Sequence, residues 1–225
     1  DRFADRGRQA ADGARLADAA FTTQVGRKRF EHRRCAVATS GAEAAAALGQ
    51  AAGSRSLSLA SQAEASPVAF MFPGQGSQYV NMGLQLYRGE AVFRETVDRC
   101  AAALAPHMGC DLRDFLFPEP ADAERATQSL NNTFYTQPAI FTISYSLATL
   151  WGHWGVRPTA FIGHSIGEFV GAALSGVMEL EDALRLVATR GRLMQALPHG
   201  SMLSVRLPLA DLEGRLPPGV DVAAS

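Results

Sequence analysis

The sequence of 225 residues predicts an α/β protein whose strands form a parallel sheet. Short apolar runs typical of buried strands alternate with longer segments of helical periodicity, and this alternation indicates a parallel sheet covered by helices. Glycine-containing turns follow two of the apolar runs, as tight strand-to-helix connections require. With 47% apolar residues, a chain of this length can bury a core in one domain or in two.

The N-terminal part of the chain carries one small α/β pattern. "ARLADAAFTTQV" (14–25) has helical spacing, "RRCAVATS" (33–40) predicts a strand, and "GAEAAAALGQ" (41–50) is strongly helix-forming. Residues 51–67 lose this periodicity and are rich in serine, alanine and glycine. We therefore expect an exposed connection there, with a domain boundary at its end.

A second pattern of strand, glycine turn and helix begins after Pro67. "VAFMF" (68–72) predicts a strand, "PGQGSQ" (73–78) predicts a turn, and residues 81–105 predict one long helix. The repeated order of strand before helix favours a parallel sheet in this part of the chain.

Two more helices and another strand follow. Residues 136–155 predict a helix with Thr136 as its N-cap. "PTAFIG" (158–163) predicts a short buried strand, and residues 178–197 predict an amphipathic helix. From Gly200 onward the pattern is strand, helix, strand, which predicts the start of a smaller subdomain.

Composition argues against several classes of partner. The net charge of −1 gives no general electrostatic reason to expect nucleic acid, and no apolar run reaches the ~18 residues of a membrane-spanning helix. We therefore expect neither a nucleic-acid nor a membrane partner.

Cys35, Cys100 and Cys110 lie far apart without a CxxC pair, which favours free or buried thiols in a reducing cytoplasm. No disulfide and no metal site are expected.

A serine lies between glycines directly after the strand at 158–163. "GHSIG" (163–167) fits the pattern GxSxG, in which glycines permit the tight turn that lifts the serine clear of the sheet. Ser165 would then stand at a helix N-terminus, where free N–H groups attract developing negative charge. We interpret Ser165 as a candidate nucleophile and the N–H of Ile166 as a candidate oxyanion donor. A tight turn capped by a serine is the alternative.

No convincing general base is visible among the histidines. His164 adjoins the serine, but neighbouring side chains on a strand point apart, so we interpret it as a supporting residue. His153 and His199 fall at a predicted helix end and in a Pro/Gly turn, where surface or capping roles are favoured.

The loop "FPGQGSQ" (72–78) has two glycines and two carboxamide side chains. Such a loop can turn backbone N–H groups toward an anion, and the N–H of Gln75 could complete an oxyanion hole with that of Ile166. The loop lacks both the GxxxxGK[ST] and the GxGxxG patterns of nucleotide sites. An ordinary strand-to-helix connection remains the alternative.

Arg190 falls among apolar residues when 178–197 is placed on a helix of about 100° per residue. It lies between Leu186 and Leu193 on one side and Val187 on the other. An unpaired buried guanidinium is costly. Arg190 therefore either pairs with an internal carboxylate, such as that of Glu168, or binds a carboxylate on a ligand bidentately.

These motifs together resemble a known family. The segments 70–83, 136–151, 163–195 and 200–205 occur in the order and spacing of acyltransferase domains of polyketide synthases, which are similar to malonyl-CoA:acyl carrier protein transacylases. Residues 16–38 resemble the linker between ketosynthase and acyltransferase domains. The resemblance implies an α/β fold with a hydrolase-like parallel-sheet core, a preceding small α/β linker domain, and a ferredoxin-like subdomain that is truncated here.

The resemblance implies a role for each site residue. Ser165 would accept the acyl group, Arg190 would bind the malonyl carboxylate, and the N–H groups of Gln75 and Ile166 would form the oxyanion hole. Gln137 and His164 would support the serine. Ile166 stands where malonyl-selective members carry an aliphatic residue, so the resemblance favours malonyl over methylmalonyl.

The resemblance also implies substrates and partners. The serine would take a malonyl group from malonyl-CoA and pass it to the phosphopantetheine thiol of an acyl carrier protein. The protein would need no cofactor of its own, and a ketosynthase domain would be its neighbour. The corresponding domain boundaries are 1–66 for the linker, 67–199 for the core and 200–225 for the start of the subdomain.

One departure from the family pattern limits the prediction. The family's base histidine lies further from the serine than this chain extends, so we expect the fragment alone to transfer acyl groups very poorly. A serine esterase or lipase would also explain GxSxG, but it would not explain Arg190 or the loop at 72–78. A noncatalytic docking fragment of a megasynthase is the third alternative, favoured by the basic run "GRKRFEHRR" (26–34).

Overall fold

The structure is a computed structural model that describes residues 16–28, 30–49, 56–60, 66–198, 200, 202–212 and 214–223. The chain divides into two units, Asp1–Pro67 and Val68–Ser225. Each unit combines helices with strands, and the α/β class predicted from the sequence is confirmed.

The first unit combines helices with one pair of antiparallel strands. Its elements are α1 (Leu16–Val25), β1 (His32–Ala36), α2 (Gly41–Gly49) and β2 (Ser56–Ala60). The strands pair antiparallel, with His32 opposite Ala60, and α2 lies against β1.

Residues 51–67 were expected to form an exposed connection, and for Ser56–Ala60 this prediction is wrong. These residues form β2 and pair along the whole of β1. Their sequence, Ser-Leu-Ser-Leu-Ala, has the alternation of a strand, but Leu57 and Leu59 are both exposed. This short alternation lies in a segment rich in serine, alanine and glycine, whose composition favours a connection, and the pairing was therefore not predicted.

The second unit holds two parallel strands and most of the helices. Its elements are β3 (Ala69–Phe72), α3 (Leu84–Gly89), α4 (Ala91–Met108), α5 (Arg113–Leu116), a 3₁₀ turn (Pro120–Asp122), α6 (Ala123–Leu130), α7 (Thr133–His153), β4 (Ala160–Gly163), α8 (Ile166–Leu174), α9 (Leu180–Gln195) and α10 (Leu209–Leu212). β3 and β4 are parallel neighbours, with Phe72 opposite Gly163. The predicted parallel pairing is therefore present.

The core of this unit is centred on α7, which packs against α4, α8 and α9. Phe141 of α7, Phe93 of α4 and Leu184 of α9 are fully buried. Because α8 and α9 both contact α7, one scaffold fixes the ends of these two helices relative to each other. Among the described residues, no helix has the length and apolar character needed to cross a membrane.

The two faces of the β3–β4 pair differ sharply. Phe70, Phe72 and Phe161 cluster on the core side, with ring centroids 6.0 to 6.5 Å apart. Met71 and Ile162, which are paired neighbours on the opposite face, are 74% and 54% exposed. The core side of the sheet therefore carries the packing that supports the turn after β4.

Three local expectations are wrong. The single helix expected over 81–105 is two helices, α3 and α4, interrupted at Glu90, whose backbone is extended. The N-cap of α7 is Asn132 rather than Thr136, because the Asn132 side chain accepts the N–H of Phe134 at 3.0 Å. The strands expected after Gly200 are not present among the described residues there, which contain α10 alone and no neighbouring strand to pair with.

A polar cluster fixes α5 against α4 and gives the unit a predicted pH dependence. The Arg113 guanidinium binds the Asp111 carboxylate at 2.6 Å and the Asp98 carboxylate at 2.8 Å. The hydrogen bond from Arg113 holds the pKa of Asp111 below its ordinary value of 3.8. The resulting stabilisation is complete above the unfolded-state pKa and is lost as the pH falls through the folded-state pKa.

We therefore expect Asp111→Asn to make unfolding less sensitive to acid below about pH 4. The urea midpoint of the chain, measured at neutral pH and at successively lower pH, checks this. Asp114→Asn, at an exposed neighbour, is the matched control and should keep the wild-type dependence. An unchanged acid dependence in Asp111→Asn would show that Arg113 does not stabilise this carboxylate.

Candidate active site

The candidate site lies at the turn between β4 and α8. β4 ends at Gly163, α8 begins at Ile166, and Ser165 between them has φ 53° and ψ −109°. Among the described non-glycine residues, only Asn81 also has a positive φ. Such a conformation costs on the order of 1–3 kcal/mol and persists only where the surrounding structure enforces it. The strand, turn and helix predicted around Ser165 are all present.

Two glycines make this turn possible because other residues approach their Cα atoms too closely for a side chain. A Cβ on Gly163 would lie 2.2 Å from the backbone nitrogen of Glu168, and one on Gly167 would lie 2.5 Å from the carbonyl oxygen of Phe72. The first α8 turn therefore rests directly on the ends of β3 and β4. This close approach holds Ser165 in its strained conformation.

The turn leaves the Ser165 hydroxyl exposed beside unused backbone donors. The N–H groups of Gly167 and Glu168 bond to the carbonyls of His164 and Ser165. Within the described part of the chain, no acceptor takes the N–H of Ile166, although the Ile166 side chain is buried in the core. A free N–H at a helix N-terminus next to a serine suits an oxyanion, and the role of Ile166 as an oxyanion donor stays a prediction.

Arg190 of α9 reaches this serine. Its Nη2 lies 3.3 Å from Ser165 Oγ, and its Cζ lies 5.6 Å from the centroid of the Phe169 ring. Its Nη1 is buried and has no hydrogen-bond partner in the part of the chain that the structure describes. Glu168 is exposed, and no carboxylate among the described residues forms an ion pair with Arg190. Of the two interpretations left open by the sequence, the internal ion pair is therefore absent among the described residues, and binding of a ligand carboxylate stays a prediction.

The position of Arg190 on its helix differs from the expectation. Leu186 and Leu193, placed with it in one apolar arc, are 44% and 61% exposed. The buried face of α9 is centred instead on Leu184, Val187 and the small residues that pack against α7. Arg190 lies at the edge of that face. The prediction placed it in the centre because two exposed leucines, Leu186 and Leu193, were counted as part of the buried face.

The loop at 72–78 lies against the same turn. A Cβ on Gly74 would fall 2.2 Å from Nδ1 of His164, so the glycine leaves room for that imidazole. The Gln75 side chain donates to Thr133 Oγ1 at 3.3 Å, and the Gly76 N–H donates to Gln78 Oε1 at 2.8 Å. Gln75 and His164 thus lie on adjacent segments at the edge of the site.

Gln137 lies deeper, between α7 and α9. Its Nε2 donates to the sulfur of Met194 at 3.2 Å, while its Oε1 is buried without a partner. The N–H of Thr133, at the start of α7, donates to Gln195 Oε1 at 3.0 Å. Thr133, Met194 and Gln195 also line a cleft of about 430 Å³.

Sequence reasoning missed Phe169, Met194, Thr133 and Gln195. A signal existed for the first two, because Phe169 follows Ser165 by four residues and Met194 follows Arg190 by four, and this spacing places side chains on one helix face. Thr133 and Gln195 are brought in by the packing of α9 against the start of α7, which spacing within one helix cannot show.

Two cysteines of the second unit, Cys100 and Cys110, are poor candidates for a nucleophile. Burial raises the pKa of Cys100 to about 12 and also raises the pKa of Cys110, so neither forms a thiolate readily. The structure gives no hydrogen bond between Ser165 and any described histidine, and His199 lies outside the described residues. No group of three potential metal ligands occurs in the described ranges.

The close contact at Gly167 gives a test of the turn. In Gly167→Ala the new Cβ would push α8 away from β3, and we expect a loss of about 1–3 kcal/mol in unfolding free energy. Urea unfolding of the chain, followed by circular dichroism, measures it. Gly152→Ala is the control, because this helical glycine has no atom closer than 3.5 Å to the added Cβ and alanine favours helix. Equal stability of the two variants would contradict the packing described here.

Comparison with protein families finds two matches. The family described as the acyl transferase domain matches residues 69–225. A second model, described as CurL-like, PKS C-terminal, matches residues 7–48. The first match includes the turn at Ser165, the loop at 72–78 and the whole of α9.

Individual relatives include one synthase and two acyl transferase domains of known structure. Mycoketide-CoA synthase of Mycobacterium tuberculosis is 38% identical over 217 residues, covering 95% of this chain but 5% of the relative. The acyl transferase domain of ZmaA is 43% identical with a TM-score of 0.84, covering 92% of this chain and 48% of that one. The acyl transferase domain of SpnD, solved in complex with 2-(pent-4-yn-1-yl)malonyl, is 42% identical with a TM-score of 0.67, covering 85% and 44%.

Proposed function

The chain belongs to the acyl transferase domain family, and on that premise we propose that it takes part in loading a malonyl-type unit from coenzyme A onto an acyl carrier protein. The observation that carries the proposal is the guanidinium of Arg190, which contacts the Ser165 hydroxyl and has a buried, unpaired Nη1. A nucleophile and a carboxylate receptor thus lie within the reach of one small dicarboxylic acyl group.

In the first half-reaction, Ser165 Oγ attacks the thioester carbonyl carbon of malonyl-CoA. The hydroxyl proton passes to a general base, the carbonyl oxygen becomes an oxyanion, and the N–H groups of Ile166 and Gln75 stabilise it. The carbon–sulfur bond then breaks, coenzyme A leaves as the protonated thiol, and the malonyl group remains as an ester of Ser165.

In the second half-reaction, the phosphopantetheine thiol of the carrier protein attacks this ester. The acyl group passes to the sulfur, and Ser165 recovers its proton as the carbon–oxygen bond breaks. No metal or cofactor of the chain takes part in either step. On the family resemblance, we propose that Gln137 of α7 and His164 of the turn support the serine.

Arg190 selects the acyl group by its free carboxylate. A planar guanidinium can bind a carboxylate through two parallel N–H bonds, and such charge-assisted bonds are about twice as strong as neutral ones. The SpnD domain was solved with a substituted malonyl group, which supports a substrate of the malonyl class. Within that class we propose malonyl, on the family resemblance at Ile166.

The first unit is proposed to link this domain to a ketosynthase. Its match to a model of polyketide synthase C-terminal segments over residues 7–48 supports that role. The corresponding boundaries are 1–66 for the linker, 67–199 for the acyltransferase core and 200–225 for the start of a further subdomain.

The chain spans about half of the ZmaA domain, and 5% and 15% of two curated relatives that it matches. The base is proposed to be a histidine outside this chain. Loss of a base of this kind commonly costs about 10⁴ to 10⁶ in rate, so we expect residues 1–225 alone to be a very poor transferase.

The test is intact-mass analysis of the full-length protein after incubation with malonyl-CoA and, separately, with a neutral acyl ester. The proposal expects a malonyl adduct at Ser165 from malonyl-CoA. Labelling by the neutral ester alone would identify an esterase instead. Labelling by neither compound would favour the noncatalytic docking fragment, and the basic run at 26–34 would then be tested for binding.

A further inference from the structure

We propose that Phe169 is a positioning residue that holds the Arg190 guanidinium in place for the substrate carboxylate. The inference deepens the proposed function and rests on it. The inference concerns how the Arg190 guanidinium, which has no carboxylate partner among the described residues, keeps one orientation beside Ser165.

Phe169 and Ser165 lie on the same side of α8. Ser165 caps the helix and Phe169 follows four residues later, which is close to one helical turn. Arg190 extends from α9 across both residues, with Nη2 at 3.3 Å from Ser165 Oγ and Cζ at 5.6 Å from the Phe169 ring centroid. That distance lies within the ~6 Å range of a cation–π interaction.

The ring itself is held by the core. Phe169 is partly buried and packs against the main cluster of buried residues, whereas Ser165 is exposed. A long arginine side chain has several rotamers, and a single 3.3 Å contact with a neutral hydroxyl does not select one of them strongly. The Phe169 face supplies a second, fixed attachment.

The chemistry of this attachment suits a receptor for a carboxylate. An internal Asp or Glu would also hold the guanidinium, but it would occupy the N–H donors that the substrate needs. An aromatic face attracts the cation through its quadrupole and uses none of those donors. This explains how Nη1 can be buried and unpaired in a residue that is nevertheless held in position.

The role predicts a selective defect. Phe169→Leu keeps an apolar side chain but removes the aromatic face, and it should lower kcat/KM for malonyl-CoA about three- to tenfold, mainly through a higher KM. Transfer from acetyl-CoA, which offers no carboxylate to Arg190, should be unchanged. Phe169→Tyr retains the face and should restore the malonyl value.

The experiment measures both substrates in the full-length protein for the wild type, Phe169→Leu and Phe169→Tyr. Phe117→Leu is the matched control, because Phe117 is a partly buried ring that packs on Tyr87. It should leave the ratio of malonyl to acetyl transfer unchanged. An unchanged ratio in Phe169→Leu, or an equal loss with both substrates, would overturn the proposal and make Phe169 a packing residue.

Malonate binding separates this inference from the proposed function. Titration of free malonate measures the Arg190 receptor without any acyl transfer, and Phe169→Leu should weaken binding about three- to tenfold while Phe169→Tyr does not. That result would support the positioning role even if no acyl transfer occurred. Failure of the wild type to bind malonate, or equal binding by Phe169→Leu, would overturn it.

Discussion

Replacing Ser165 with alanine is expected to abolish the acyl-enzyme and to reduce transfer by at least about 10⁴-fold in the full-length protein. The hydroxyl is the only group of residue 165 that can form the ester, and alanine removes it without adding volume. The backbone conformation at positive φ is held by Gly163 and Gly167, so the turn should survive. Intact-mass analysis after incubation with malonyl-CoA shows the adduct or its absence.

Ser175→Ala is the matched control for this prediction. Ser175 is an exposed serine at the other end of α8, where its hydroxyl bonds to the carbonyl of Ala172. This variant should form the adduct as the wild type does. An adduct that persists in Ser165→Ala would place the nucleophile elsewhere in the protein.

Arg190→Ala is expected to lower malonyl transfer about 10²- to 10⁴-fold while leaving acetyl transfer largely unchanged. Two hydrogen bonds to a charged group contribute about 1.5–3 kcal/mol each, and each 1.36 kcal/mol corresponds to a factor of ten in rate. Only a substrate with a free carboxylate makes those bonds. The ratio of kcat/KM for the two thioesters measures the effect.

Arg185→Ala is the control on the same helix. Arg185 is exposed and forms an ion pair with Asp182 at 2.8 Å, away from Ser165, so its loss should leave the ratio intact. If Arg190→Ala instead lost both activities equally and was unfolded, Arg190 would be a structural residue and its contact with Ser165 would have no catalytic meaning.

The turn at Ser165 could be predicted from the sequence because its determinants are local. Glycines at 163 and 167 next to an apolar strand indicate both the strand-to-helix turn and the exposed serine. The parallel pairing of β3 and β4 followed from the alternation of strands and helices. In these cases each local pattern agrees with the tertiary packing.

Features set by contacts between distant segments could not be predicted in the same way. The edge position of Arg190 depends on which face of α9 packs against α7. The sequence does not show this face, because α9 also has leucines on its exposed side. The five-residue alternation of β2 is too short to outweigh the serine- and alanine-rich composition around it, and only its pairing with β1 defines it as a strand. The cap of α7 was assigned to Thr136, since hydroxyl and carboxamide caps are similarly favoured and only the backbone path selects Asn132.

We propose that Ser165 and Arg190 act on the same acyl group. The most direct measurement is the distance from the malonyl carboxylate to the Arg190 guanidinium in a structure of the malonyl ester of the full-length protein. We expect the carboxylate oxygens to lie within hydrogen-bond distance of the Arg190 guanidinium, with the ester on Ser165. A malonyl group whose carboxylate points away from Arg190, or an ester on another residue, would contradict it.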